Sequence, residues 1–130
     1  MAILLSKSAT NDVVKTVHWL VNEKASVKFM ATALFNAAKD QVQSDSDLEY
    51  VLVGGDRLTN DVGQFVSGAK LVNNYGPTET TVVATSWQCP AGYAGDVVPI
   101  GRPIANTRIY ILDGSGAPVP LGAVGELYIG

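Results

Sequence analysis

The amino-acid sequence predicts an α/β fold, a parallel, doubly wound sheet with flanking helices, followed by a short antiparallel β segment. Two observations carry the prediction. Up to Asn73, short apolar or β-branched runs alternate with stretches of helical periodicity, the pattern of βαβ units. Beyond Trp87 the texture changes to Gly- and Pro-rich loops followed by strand, turn and strand, with no helical repeat between them.

Each element has its own signal. Residues 2–5, "AILL", read as a short buried strand. Thr10, Asn11 or Asp12 can cap a helix running to about Glu23, with Val13, Val17, Leu20 and Val21 on one face and Val14 near its edge. Trp19 falls opposite, either as a partly exposed side chain or as a contact with another part of a larger protein. Residues 26–30 form the next strand, and Thr32 caps a helix to about Gln41. "QSDSD" is a polar loop, and "LEYVLVGG" is a strand ending in a glycine pair. Thr59 or Asn60 caps a short helix to about Val66. "AKLVNNYG" is a strand and turn, and the β-branched "TTVVATSW" reads as another strand. In the tail, "RIYILD" and "GELYIG" are strands and Asp113-Gly114 is a turn. The expected division is an α/β part over 1–87 and a loop-rich β part over 88–130.

The chain has 130 residues, enough for a sizeable core. With 47% hydrophobic and 16% charged residues it is not a disordered segment. A net charge of -3 without a basic patch argues against nucleic acid as the partner. The lone Cys89 forms no intrachain disulfide and no cysteine zinc site, which fits a reducing, cytoplasmic setting. No apolar run reaches the roughly 20 residues that span a membrane, and "MAILLSKS" lacks the basic flank of a signal peptide. The chain opens on a strand and stops in mid-pattern, so a piece of a larger protein is expected.

Two polar interruptions follow predicted strands, where open α/β sheets bind ligands. In "NNYGPTETT" (73–81), Tyr75 offers a ring face. Asn73 and Asn74 offer donors and acceptors for base edges, and Thr78 a hydroxyl for a phosphate. Glu79 offers a hard carboxylate for Mg²⁺. The plain alternative is a tight turn with an exposed glutamate. In "VGGDRL" (53–58) the glycines permit close approach of a ligand, or simply make a strand-to-helix turn. His18, the only histidine, lies mid-helix and is not expected to be catalytic. "GDVVPIGRP" lacks the Lys-Ser/Thr ending of a phosphate loop and reads as a structural crossover.

The ordered segments "VGGDRL" (53–58), "LVNNYGPTETTVVAT" (71–85), "VPIGRPIANTRIYILD" (98–113) and "GELYIG" (125–130) resemble the amino-acid-adenylating domains of nonribosomal peptide synthetases. "VKFMATALFNAAKD" (27–40) is similar to the segment upstream of these. The resemblance, to the AMP-binding, adenylate-forming superfamily, covers essentially the whole chain. It implies the flavodoxin-like, Rossmann-like subdomain and the start of a β-barrel. By position it implies that Asn73 bonds the adenine amino edge, Tyr75 stacks on the base, and the backbone at Gly55 and Asp56 packs on the other side. Thr78 would contact the α-phosphate and Glu79 would hold Mg²⁺, making these two the catalytic pair. ATP and AMP are then the nucleotides, and a carrier-protein thiol later receives the acyl group.

The resemblance further places six substrate-pocket positions on Phe29, Leu52, Gly54, Asn74, Val82 and Val83. They are uncharged and mostly apolar, so a charged substrate side chain would be poorly tolerated, and the combination resembles leucine-activating domains. The plain alternative is ordinary core, against which Asn74 stands as a polar group that must find partners. The resemblance implies that the remaining lobes and the phosphate loop lie outside these residues, so the isolated chain is expected to be catalytically incomplete. Alternatives are a piece of an acyl-CoA synthetase-type enzyme, or a non-catalytic module excised for subdomain swapping.

Overall fold

The computed structural model describes residues 15, 23–43, 47–59, 62 and 68–130. The strand expected at 2–5, His18, Trp19 and most of both the first helix and the one expected up to Val66 lie outside them. No helix among the described residues is long and apolar enough to cross a membrane.

The first strand described, β1, runs Val27–Ala31 and alternates exposed and buried positions, the mark of a strand with two different faces. It leads into α1, Thr32–Gln43. Phe35, Ala38 and Val42 are spaced i, i+3 and i+7 and are essentially fully buried, so one helical stripe lies against the sheet. The next strands are β2, Tyr50–Gly54, and β3, Lys70–Tyr75. β1, β2 and β3 pair in parallel, with Phe29 opposite Leu52 and Leu52 opposite Val72. The core joins Met30, Val51, Val53 and Leu71 to Phe35, Ala38 and Val42 of α1.

The parallel run then ends. β4, Thr85–Gln88, pairs antiparallel with β3, and β5, Arg102–Pro103, pairs antiparallel with β4. The order across this mixed sheet is β1-β2-β3-β4-β5. A separate two-stranded sheet holds β6, Ile109–Leu112, antiparallel to β7, Glu126–Ile129. The turn after β6 is set by Asp113, whose Oδ1 accepts hydrogen bonds from the Ser115 N–H, the Ser115 hydroxyl and the Ala117 N–H.

The strand expected from Thr80 starts only at Thr85. In its place stand a 3₁₀ turn, Thr78–Thr80, and two consecutive residues at positive φ, Thr81 at 57° and Val82 at 74°. The Pro77 carbonyl accepts from the Thr80 N–H, the Thr80 hydroxyl and the Val82 N–H. The physical reason is reversal: β4 must run back along β3, and the Ala84 N–H already reaches the Tyr75 carbonyl at 2.8 Å. Tertiary need overrides the β-propensity of a Thr/Val run, and leaves Val82 in a conformation that is unusual for a β-branched residue.

Gly76 is required at the mouth of this turn. A Cβ there would meet the Ala84 nitrogen at 2.6 Å and the Val82 carbonyl oxygen at 2.8 Å.

Candidate functional site

Pairing register and pleat assign a face to each side chain of the sheet. Met30, Val51, Val53, Leu71, Asn73, Tyr75, Thr85 and Trp87 share the face that α1 covers in part. Phe29, Leu52, Val72 and Asn74 share the other. Gly54 follows Leu52 by two residues and joins that second face. Consecutive residues Asn73 and Asn74 therefore present to opposite sides of one strand.

A cleft of about 380 Å³ opens at the carboxyl ends of β2 and β3. Three segments form it: residues 55–58 after β2, residues 73–77 ending β3, and Val98 with Ile100 from the loop before β5. Clefts in this position are the ligand sites of open α/β sheets.

The first wall is held from beneath. The Thr32 hydroxyl, buried at the start of α1, shares its proton between the Gly54 carbonyl at 3.2 Å and the Asp56 carbonyl at 3.1 Å. The Asp56 carboxylate turns onto its own loop and accepts from the Arg57 N–H at 2.6 Å.

The second wall carries Asn73 and Tyr75. Asn73 is 4% exposed, and its amide nitrogen donates to the Pro99 carbonyl at 2.9 Å. A carbonyl can only accept, so the contact fixes which end of the amide is nitrogen. Asn73 Oδ1 is then the atom able to accept from a ligand amine. Tyr75 is 40% exposed, leaving ring surface for a planar partner.

The third wall is a strap, residues 97–101. Thr85, 2% exposed, donates its hydroxyl to the Ile100 carbonyl at 2.6 Å. The Tyr93 hydroxyl donates to the Val97 carbonyl at 2.7 Å, and the Tyr93 ring meets Trp87 edge-on with centroids 4.9 Å apart.

Of the residues singled out in the sequence, the cleft gathers Gly55, Asp56, Asn73 and Tyr75. Asn74 also borders it at the strand end, although the pleat assigns its side chain to the opposite face. Thr78 and Glu79 follow the cleft residue Pro77 on the exposed 3₁₀ turn and do not line it. Phe29, Leu52 and Gly54 lie on the opposite face of the sheet. Val82 is half exposed beyond the turn, and Val83 is partly buried beside it. Gly54 also has a structural reason for lacking a side chain, since a Cβ there would meet the Asn74 carbonyl oxygen at 2.9 Å.

Thr32, Thr85, Val98, Pro99 and Ile100 also belong to the cleft or its supports. They lie in the segments that carry the family resemblance, but nothing in their residue type or spacing singles them out. Thr32 reads as a helix cap and Thr85 as strand, and Pro99 is 26 residues from Asn73. Cys89 lies outside the cleft, and burial pushes its thiol above the usual cysteine range, away from nucleophilic use.

Fold and cleft together define an α/β protein with an open cleft at the carboxyl ends of its parallel strands, the position where such sheets bind ligands. The family model described as AMP-binding enzyme matches residues 2–130, and the chain belongs to that family. Within it, the chain is a segment of a nonribosomal peptide synthetase adenylation domain. It is 42% identical over 112 residues to malpibaldin synthetase of Mortierella alpina, covering 82% of this chain and 2% of that protein. It is 38% identical over 133 residues to bacitracin synthase 1 of Bacillus licheniformis, covering 98% of this chain and 2% of that one.

Among solved structures, holo-AB3403, a four-domain nonribosomal peptide synthetase bound to AMP and glycine, matches with a TM-score of 0.78 at 29% identity. The match covers 97% of this chain and 10% of that protein. The synthetase FmoA3, in its α-methyl-L-serine-AMP-bound form, has the same fold, with a TM-score of 0.78 at 23% identity over 91% of this chain and 14% of that one.

Proposed function

We propose that this chain forms the nucleotide-binding and substrate-selecting part of an adenylation domain that activates an apolar amino acid, leucine first, as its aminoacyl-adenylate. The observation that carries the reading is the placement of Asn73 and Asn74 on opposite faces of β3. One strand end thereby serves two ligands, a base in the cleft and an amino-acid side chain behind the sheet.

On the cleft side, Asn73 Oδ1 accepts from the adenine 6-amino group, and Tyr75 stacks on the ring. The backbone at Gly55 and Asp56 packs on the ring's other side. Thr78 gives its hydroxyl to the α-phosphate. Phe29, Leu52, Gly54 and Asn74 on the far side, together with Val82 and Val83 from the turn before β4, surround the amino-acid side chain. A charged side chain would lose hydration there without gaining a partner.

Glu79 is the metal-binding carboxylate of this reading. It is exposed, and no group of three His, Cys, Asp or Glu side chains able to hold an ion occurs among the described residues. A single carboxylate of this kind fits Mg²⁺, whose other ligands are then phosphate oxygens and water. When bound, the ion neutralises phosphate charge.

In the reaction, a carboxylate oxygen of the amino acid attacks the α-phosphorus of ATP. A mixed anhydride forms, the bond to the bridging oxygen breaks, and pyrophosphate leaves. The chain's residues contribute positioning and charge stabilisation. The acyl group passes afterwards to a carrier-protein thiol. The chain spans 2% of the length of each of the two relatives described above, and it acts here together with the rest of an adenylation domain, in the cytoplasm.

Grafting residues 2–130 into a complete adenylation domain and measuring ATP–pyrophosphate exchange with each standard amino acid tests the reading. Leucine should dominate. Isoleucine, valine and methionine should follow within about 1–3 kcal/mol, the discrimination available to an apolar pocket. An active graft that keeps its host's substrate overturns the leucine assignment.

A further inference from the structure

The strap is tied by two side chains, both almost wholly buried, to two consecutive carbonyls. Asn73 holds Pro99 at 2.9 Å and Thr85 holds Ile100 at 2.6 Å. Asn73 and Thr85 sit on neighbouring strands and the same face, with Asn73 opposite Trp87 and Tyr75 opposite Thr85. Beyond the strap, β5 pairs with β4, and the Ile104 N–H reaches the Ala84 carbonyl at 3.0 Å. Val98 and Ile100, the side chains flanking Pro99, line the cleft. The Pro99 carbonyl thus lies between two anchors of the strap, the Tyr93 bond to Val97 and the Thr85 bond to Ile100, and the Thr85 bond is the nearer, one residue on.

We propose that Thr85 is a positioning residue for nucleobase discrimination. By fixing the strap it keeps the Asn73 amide in the orientation that presents Oδ1, and not Nδ2, to the cleft. This rests on the reading of the cleft as an adenine-nucleotide site. A primary amide is two-sided: the carbonyl end accepts from a 6-amino purine, and the nitrogen end donates to a 6-oxo purine. What prevents the flip is the Pro99 carbonyl, because a flipped amide would set oxygen against oxygen. Without the Thr85 hydroxyl the Ile100 carbonyl loses its partner, the strap can draw back from Asn73, and the flip is no longer opposed.

The test uses the full-length protein that carries this chain, with ATP and inosine triphosphate as the two probes. The wild type should bind ATP in clear preference. Thr85→Val, which replaces the hydroxyl by a methyl of similar size, should reduce the ratio of ATP to inosine triphosphate affinity by about tenfold, the scale of one well-placed hydrogen bond. The KM for the amino acid should stay unchanged. Thr85→Ser, which restores the hydroxyl, should recover the ratio. Should the valine variant not fold, Thr85→Ala against Thr85→Ser isolates the same group.

A merely structural Thr85 would lower stability or affinity for both nucleotides and leave their ratio alone. An unchanged ratio in a folded hydroxyl-less variant, or no recovery with serine, overturns the proposal. A wild type that binds neither nucleotide, or does not distinguish them, overturns the adenine reading itself and this proposal with it.

Discussion

Gly54 and Asn74 lie so close across β2 and β3 that a methyl group on Gly54 would sit 2.9 Å from the Asn74 carbonyl oxygen. That oxygen belongs to the backbone of a sheet strand and cannot swing aside. Gly54→Ala should therefore destabilise the fold by about 1–3 kcal/mol, as overpacking does in tight interiors. Thermal unfolding of the variant checks it, and an unaltered midpoint would show that the strands separate at little cost. The same substitution separates two meanings of this glycine, room for a substrate and room for a neighbouring strand.

Thr32 ties the start of α1 to the loop after β2 through the carbonyls of Gly54 and Asp56. Thr32→Val keeps the shape and removes the donor. A loss of about 1–2 kcal/mol is expected for an unmet buried hydrogen bond, with faster amide hydrogen exchange confined to residues 54–57. Exchange that speeds up evenly across the sheet would point to general loosening instead.

Tyr75 presents its ring at the cleft. In the full-length protein, Tyr75→Ala should weaken AMP binding by about 1–3 kcal/mol, the usual worth of base–aromatic stacking, while Tyr75→Phe should bind almost as the wild type does. Calorimetric titration decides it. Equal losses in both variants would assign the contribution to the hydroxyl and not the ring.

Asp113 gives a pH prediction away from the site. Hydrogen bonds from the Ser115 hydroxyl and from the backbone N–H groups of Ala117 and Ser115 hold its carboxyl below the ordinary value of 3.8. A carboxyl lowered in the folded state adds stability above its unfolded pKa, and loses that stability as pH falls through the lowered folded one. The turn after β6 should thus stay closed at neutral pH and open only as pH falls below the ordinary aspartate value. The Ser115 and Ala117 amide resonances should titrate together there. Titration at about pH 4 or above, the range of an unperturbed aspartate, would refute the bonding pattern.

Much of this arrangement is legible in the letters. β1, β2 and β3 are short apolar runs bounded by turn residues, and their period of two already separates Asn73 from Asn74. The first two walls of the cleft lie at strand ends and contain glycine, so their place at the carboxyl edge of the sheet is readable too. The third wall is not. Val98 and Ile100 reach the cleft because the Asn73 and Thr85 side chains capture the strap, and no local pattern encodes a contact across that many residues. Residues 80–84 mislead for a related reason. Thr and Val favour extended backbone, but reversing β4 against β3 requires a turn with Thr81 and Val82 at positive φ.

The alternation along β3 carries a consequence for how such a protein changes over time. Asn73 and Tyr75 look one way, and Val72 and Asn74 the other. Under the proposed roles, substitutions at one parity alter the amino acid accepted, while those at the other alter how the nucleotide is held. The two kinds of recognition share a backbone without sharing side chains. New substrate preferences can therefore accumulate, position by position, in a lineage whose energy source stays the same.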